Sequence, residues 1–366
     1  VLGSVLVFSA ATAAVSQLVG TRRRCLGVVG TGLGASYLLR AVADGSVHGH
    51  AIIWISPLGW VEQLSAYNNH PWVAVGSLLG AAVTAAAAAV VVRSRRDTGD
   101  GAWPVRAQVR RDRGIRSLTR LHVVLERGAL LGWTGGMAAT GLMLGFIAAD
   151  IAKVAAENPT LSKLDSVAGT SVASIRGFLG LSFELIAVVA ALYAGAQVLA
   201  ARRQEETRTL ENLLTAGAGR QAWLGVRLAG ALLSVALVTG VTGLAVWAGV
   251  QLSGQPLPVS DALRGAANTL PVSALFLGAS TLTLGLRPRA VAAVAYSSVG
   301  LSYAGLLVAV IGGAPRWIID LSPLAHLAPV PAVAVNAGAT VALSAVALLL
   351  CALGAFAFER RDVVGE

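Results

Sequence analysis

The chain has 366 residues, 55% of them apolar and only 13% charged, and its mean hydropathy is +0.72. A soluble domain of this length could not hide so much apolar surface from water, so that class is excluded. The net charge of +10 raises the question of nucleic-acid binding, and the placement of the charges answers it below.

A run of about 17–25 apolar residues crosses ~30 Å of hydrocarbon. Nine such runs follow one another, at about 2–20, 25–43, 71–92, 128–149, 178–200, 227–251, 268–286, 291–312 and 336–358. They predict an all-α polytopic membrane protein with about nine transmembrane helices. Glycines stand four apart at Gly30/Gly34, Gly132/Gly136 and Gly141/Gly145, a spacing that lets helix backbones approach closely. Cys25 and Cys351 are far apart, near or within spans, and define neither a disulfide framework nor a metal site.

With the odd-numbered spans running inward, the cytoplasmic loops hold all but six of the 28 basic residues. The exceptions are Arg40, Lys153, Lys163, Arg176, Arg264 and Arg316. This asymmetry follows the positive-inside rule and places the C-terminus in the cytoplasm. Trp54, Trp60, Trp72, Trp247 and Trp317 fall near the outer span ends, as an interfacial belt would. The basic charge is thus a topology signal, and nucleic-acid binding is rejected. The first span starts outside and has no basic leader segment, so it is no signal peptide. An odd number of spans is therefore expected before Val1.

An internal repeat sharpens that expectation. At an offset of 266, Arg23 aligns with Arg289, Gly34 with Gly300, Ser36 with Ser302 and Tyr37 with Tyr303. Ser56, Pro57 and Leu58 align with Ser322, Pro323 and Leu324 at the same offset. Spans one to three thus repeat spans seven to nine, while spans four to six have no counterpart. The simplest account is a parallel repeat of two six-span halves, with three N-terminal spans lying outside this sequence. Residues 1–93 would close the first half, and 128–366 would form the second. Between them, 94–127 reads as a basic linker and an amphipathic interfacial helix with Ile115, Leu118, Leu121 and Leu125 on one stripe. A plain extension of span four is the alternative.

No Gly-rich phosphate loop ending in Lys-Ser/Thr occurs; the only lysines, Lys153 and Lys163, fall outside. The chain itself therefore is not expected to be an enzyme or to hold a cofactor. His48, His50 and His70 share an outer loop without the further ligands a metal needs. Glu184 is the one carboxylate deep inside a span; it is a candidate for the substrate path, or else structural.

The most polar, helix-prone island is Arg202–Arg227, RRQEETRTLENLLTAGAGRQAWLGVR, a short cytoplasmic excursion between spans five and six. It reads either as an ordinary solvated loop with charge pairs or as a coupling helix. Coupling needs charges to dock a partner, an apolar pair to bury and short stiff connections. Glu205, Glu206, Arg208, Glu211, Leu213, Leu214, Arg220 and Trp223 meet those needs.

This island, ERGALLGWTGG entering span four, SPLAHLAPVP after span eight and the terminal FERRD resemble the type-2 ABC transporter permeases of actinobacteria. The likeness is to the group of polyketide (tetronasin-type) antibiotic exporters. The resemblance implies two six-span halves in one chain. It also implies an ABC ATPase subunit, in two copies, that uses the ATP and docks on the loop between the second and third spans of each half. By position that loop is Glu205–Trp223. The function implied is the permease of an ATP-driven exporter of hydrophobic or amphipathic small molecules, antibiotics or drugs among them, in the bacterial cell membrane. An ion-gradient-driven secondary transporter is the alternative, although Glu184 alone offers a relay group. A membrane-embedded transferase is a further one, although no Asp, His or Ser cluster converges.

Overall fold

The computed structural model describes residues 2–19, 25, 27–34, 36–37, 57–62, 71–94, 117–157, 170–171, 173–207, 209–215, 217 and 219–361. Helices dominate, with no strand among the described residues. Among the described residues, seven helical stretches are long and apolar enough to cross a membrane. The chain is thus an all-α polytopic membrane protein. It divides into two compact units, Val1–Gly114 and Ile115–Glu366.

In the first unit, α1 (Leu2–Leu18) packs along α3 (Pro71–Ser94), and the short α2 (Pro57–Glu62) touches both. Val7, Ala74 and Leu78 are buried. Cys25 is buried too, its Sγ 3.7 Å from the Thr12 carbonyl. The span expected at 25–43 lies mostly outside the described residues; within it, 27–34 and 36–37 are helical.

The second unit contains α4 (Leu118–Glu157), α5 (Ile175–Glu206), α6 (Thr209–Thr215), α7 (Arg220–Leu252) and α8 (Val259–Asn268). They are followed by α9 (Leu270–Leu286), α10 (Val291–Ile311), the single turn α11 (Arg316–Ile319) and α12 (Ala337–Arg360). Helix α5 is the hub. It is 61% buried over its apolar window, against 17% for α12, whose remaining sides carry exposed Leu348, Leu349 and Phe356. Backbone groups are satisfied within each helix, as an apolar solvent requires. Four buried hydroxyls are satisfied the same way: Thr239, Thr242, Ser280 and Thr281 each donate to the carbonyl four residues back, at 2.7–2.9 Å. Side-chain caps start two spans: Ser174 Oγ accepts from the Gly177 amide at 3.0 Å, and Asn336 Oδ1 from the Ala339 amide at 3.1 Å.

Two close crossings hold the unit together. Helices α4 and α7 run in the same direction, with Glu126 beside Arg227 and Gly145 beside Val246. A Cβ added at Gly145 would sit 2.1 Å from the Val246 carbonyl oxygen, and one at Gly249 2.1 Å from that of Leu142. Helices α9 and α12 cross as tightly: a Cβ at Gly285 would lie 2.5 Å from the Gly354 oxygen. Of the glycine pairs at four-residue spacing, Gly141/Gly145 is the one in such a crossing. Gly30, Gly34, Gly132 and Gly136 have nothing within 4 Å of an added Cβ.

Two features differ from the sequence expectation. The stripe expected as an interfacial helix is no separate element, because Leu118–Glu157 is one 40-residue helix, about 60 Å long. Leu118 packs against the main core, and Leu121 and Leu125 line a small gap with Gln204, Trp223 and Val226, so the stripe borders protein while Leu125 stays partly exposed. Ile115 lies outside the described residues. The second feature is α8, a helix that fills the stretch between spans six and seven, where hydropathy marks no span. Its Asp261 pairs with Arg176 at 2.9 Å and Arg264 at 2.6 Å, and Gly265 lies against the Phe183 ring. Beside it the SPLAHLAPVP stretch caps the same end of the bundle. Leu324 and Val330 are buried there, Asn268 Nδ2 donates to the Ala328 carbonyl at 2.9 Å, and Ser322 Oγ donates to the Ser302 carbonyl at 3.0 Å.

Candidate coupling site at the arginine-rich end

At the other end of the unit, α5, α7 and α12 stop within reach of one another, with α6 lying between α5 and α7. Helix α5 ends where the Thr207 amide donates to the Arg203 carbonyl at 3.0 Å. Helix α6 ends at Gly217, whose φ of +91° is a left-handed turn that a side chain would strain. Leu210 anchors α6 with no exposed surface, and Leu213 and Leu214 pack against the main core. Glu206, Asn212 and Thr215 face outward, while Glu211 is half-buried.

Beneath α6 lies a buried ion network. Glu205 is 1% exposed. Arg361, just past α12, reaches both of its carboxylate oxygens through Nη2, at 2.7 and 2.9 Å. Arg202 stands 3.6 Å from Glu205 on the other side, and its Nε is 3.2 Å from Glu206. Arg220 donates to the Arg361 carbonyl at 2.7 Å, satisfying a backbone acceptor at the α12 terminus, and Gln221 bonds the Glu359 carboxylate. Trp223 stacks on Phe358 with ring centres 5.7 Å apart, and Arg361 lies over the same Phe358 ring. Desolvating three charges is costly, and mutual pairing offsets that cost only while every partner is in place.

A second cluster ties α7 to α4 and α5. Buried Arg227 pairs with Glu126 at 2.8 Å, approaches His122 Nδ1 at 3.2 Å and donates to the Gln197 carbonyl at 3.1 Å. Gln197 continues inward to the Tyr193 hydroxyl at 2.6 Å, and the Tyr193 and Trp133 ring centres are 5.0 Å apart. Glu205–Arg361 thus ties the end of α5 to the end of α12, and Arg227–Glu126 ties α7 to α4.

Of the expected site residues, the structure brings Glu205, Glu206, Arg220 and Trp223 into this junction, with Leu213 and Leu214 against the core beside it. Glu205 and Trp223 face inward and hold the junction together, leaving the outer surface to Glu206, Asn212 and Thr215. Arg208 lies outside the described residues, as do His48, His50 and His70. Glu184 is elsewhere: it is half-buried on α5, within electrostatic reach of Tyr303 on α10. Sequence reasoning missed the roles of Arg361, Phe358, Glu126 and His122. The terminal FERRD was the available signal for the first two, but nothing local says that it folds onto α5. Among the described residues no group of His, Cys, Asp or Glu could hold a metal ion.

Comparison with known proteins agrees with this architecture. Residues 115–359, nearly the whole second unit, match the family described as the C-terminal domain of the multidrug efflux system permease Rv1217c. The multidrug efflux system permease protein Rv1217c of Mycobacterium tuberculosis is 30% identical to the chain over 361 residues. The alignment takes in 98% of this chain and 65% of that protein, so the chain spans a little under two thirds of its relative's length. The chain belongs to the Rv1217c multidrug efflux permease family.

Proposed function

We propose that the chain is the membrane-spanning permease part of an ATP-driven exporter of hydrophobic or amphipathic small molecules. A separate ATPase subunit, in two copies, binds and hydrolyses the ATP and docks on α6 from the cytoplasmic side. The chain itself holds no cofactor. It lies in the bacterial cell membrane with its C-terminus in the cytoplasm, as the arginine distribution requires. The carrying observation is the seven-residue α6, outward at Asn212 and Thr215 and seated on the core through Leu210, Leu213 and Leu214, beside an α5 end at which Glu205 is ion-paired to Arg361 past α12. Such an element converts a push from a partner into helix motion, and a solvated loop does not. The relative's description as a multidrug efflux permease supports drug-like cargo, and the antibiotic-exporter motifs support the polyketide class. Spans one to three and seven to nine form two sets in a parallel six-plus-six architecture. In each set the first span packs on the third, α1 on α3 and α9 on α12. Glu184 sits on the substrate path as its one fixed charge.

The test is co-purification with a candidate ABC ATPase subunit, followed by drug-stimulated ATP hydrolysis. Glu206→Arg and Glu211→Arg are expected to lower stimulation on the order of tenfold, since like-charge contacts at a docking surface cost a few kcal/mol. Glu184→Gln is expected to change drug stimulation while leaving ATPase binding intact. Full assembly and stimulation in both the Glu206→Arg and Glu211→Arg variants would remove the coupling role.

A further inference from the structure

Along the outer side of α4 and α7 runs a groove of about 300 Å³ whose two ends differ in chemistry. Thr119, His122, Glu126 and Arg127 line it from α4, above Leu130. From α7 it is lined by an apolar series that includes Gly230, Leu233 and Leu237. Both sets recur every three or four residues, so each is one stripe of its helix. The stripes lie side by side because α4 and α7 run in the same direction. From Val226 to Leu237 the groove is about 16 Å long, roughly one leaflet of a bilayer.

The charge at its polar end is net positive. Glu126 is present, but Arg227 lies 2.8 Å from it and offsets its charge. Arg127 is exposed and has no ion-pair partner among the described residues. Arg227 approaches His122 Nδ1 at 3.2 Å; with that nitrogen accepting, the ring proton is on Nε2. The Nε2 edge lies over Gly230, where a Cβ would come within 2.0 Å of it. Gly230 thus makes the room in which the His122 ring packs on α7 at the groove's polar end. At the other end Leu233 is 72% exposed and Leu237 50%, an apolar surface suited to an alkyl chain and not to water.

We propose that this groove binds one anionic phospholipid, its phosphate held by Arg127 and one acyl chain lying along Leu130, Leu233 and Leu237. The site rests on the reading above only in placing the arginine-rich end at the cytoplasmic membrane–water boundary. The occupant is a lipid because the groove is as long as a leaflet and its apolar half is exposed. It is anionic because the unpaired charge is a guanidinium at the level of the headgroups. The lipid wedges between the first turns of α4 and α7, beside the Glu126–Arg227 pair, so its occupancy bears on the junction beneath α6.

The full chain, purified from nanodiscs of equal parts phosphatidylglycerol and phosphatidylcholine, is examined by native mass spectrometry for retained lipid. Wild type is expected to retain phosphatidylglycerol in preference. Arg127→Gln should reduce that preference about fivefold, the effect of one basic residue near an anionic headgroup. Leu233→Trp, at an exposed position that tolerates bulk, fills the apolar half and should remove the retained lipid whatever its headgroup. Equal retention of the two lipids by wild type overturns the proposal, as does an unchanged ratio in Arg127→Gln. The readout is lipid retention and not transport, so failure here leaves the efflux reading standing, and failure of ATPase coupling leaves this site standing.

Discussion

Glu205 is the residue on which the arginine-rich end turns. It is almost fully buried between Arg361 and Arg202, two cations that repel each other without it. Removing one member of such a group leaves an uncompensated charge in a dry site. Glu205→Ala is therefore expected to cost about 3–5 kcal/mol. Arg361→Ala alone strands Glu205 in the same way, although Arg202 still attends it. The double variant should cost less than the sum of the two, because the charges leave together. Thermal unfolding of the purified protein followed by tryptophan fluorescence is the measurement. Additive losses would mean that the pair is not coupled. In the sequence, Glu205 looked like its neighbour Glu206, a charge available to a partner. The difference between them is one of direction on the helix: Glu205 points at α12 and Glu206 away from it. That distinction is invisible until α12 is in place.

Among the elements, the α4–α7 crossing shows how far a glycine spacing can be read. Gly132/Gly136 and Gly141/Gly145 have the same spacing on the same helix, yet only the second pair meets a neighbouring backbone. Spacing says which glycines could pack and not which ones do, since that depends on where the partner helix crosses. Within α7, Gly249 is in the crossing and Gly240 has nothing within 4 Å of an added Cβ. Gly249→Val is expected to separate the helices and abolish the monodisperse peak in fluorescence-detected size exclusion. Gly240→Ala should leave the peak intact and raise stability by up to about 1 kcal/mol through helix propensity. A normal peak for Gly249→Val would mean that the crossing is looser than the backbone distances state. The continuity of α4 has a similar origin. Leu118, Leu121 and Leu125 form an apolar stripe that could meet lipid or protein, and the first turns of α7 border it. The polar island, by contrast, was legible as a short helix between two spans: its charges interrupt two long apolar runs, and Gly217 and Gly219 punctuate its end.

For the whole molecule, the arginine distribution makes a prediction independent of any partner. Arg202, Arg220, Arg227, Arg287 and Arg361 all fall at one end of the second unit's spans. If that end is cytoplasmic, a fluorescent protein fused after Glu366 will fluoresce and alkaline phosphatase at the same site will be inactive. The opposite pattern would invert the topology and remove α6 from the reach of any cytoplasmic ATPase. The sequence by itself determined the all-α membrane class, the order of the spans and the position of the polar elbow. It could do so because insertion into hydrocarbon depends on local composition, read one segment at a time. Only the tertiary structure decided which polar groups are shielded, which glycines touch and which helix holds α6 from below. Glu205 and Arg361 are 156 residues apart, and their pairing exists only through the register in which α9 packs on α5 and α12 on α9. Register is set by the shapes of several helices at once, and no single segment carries it.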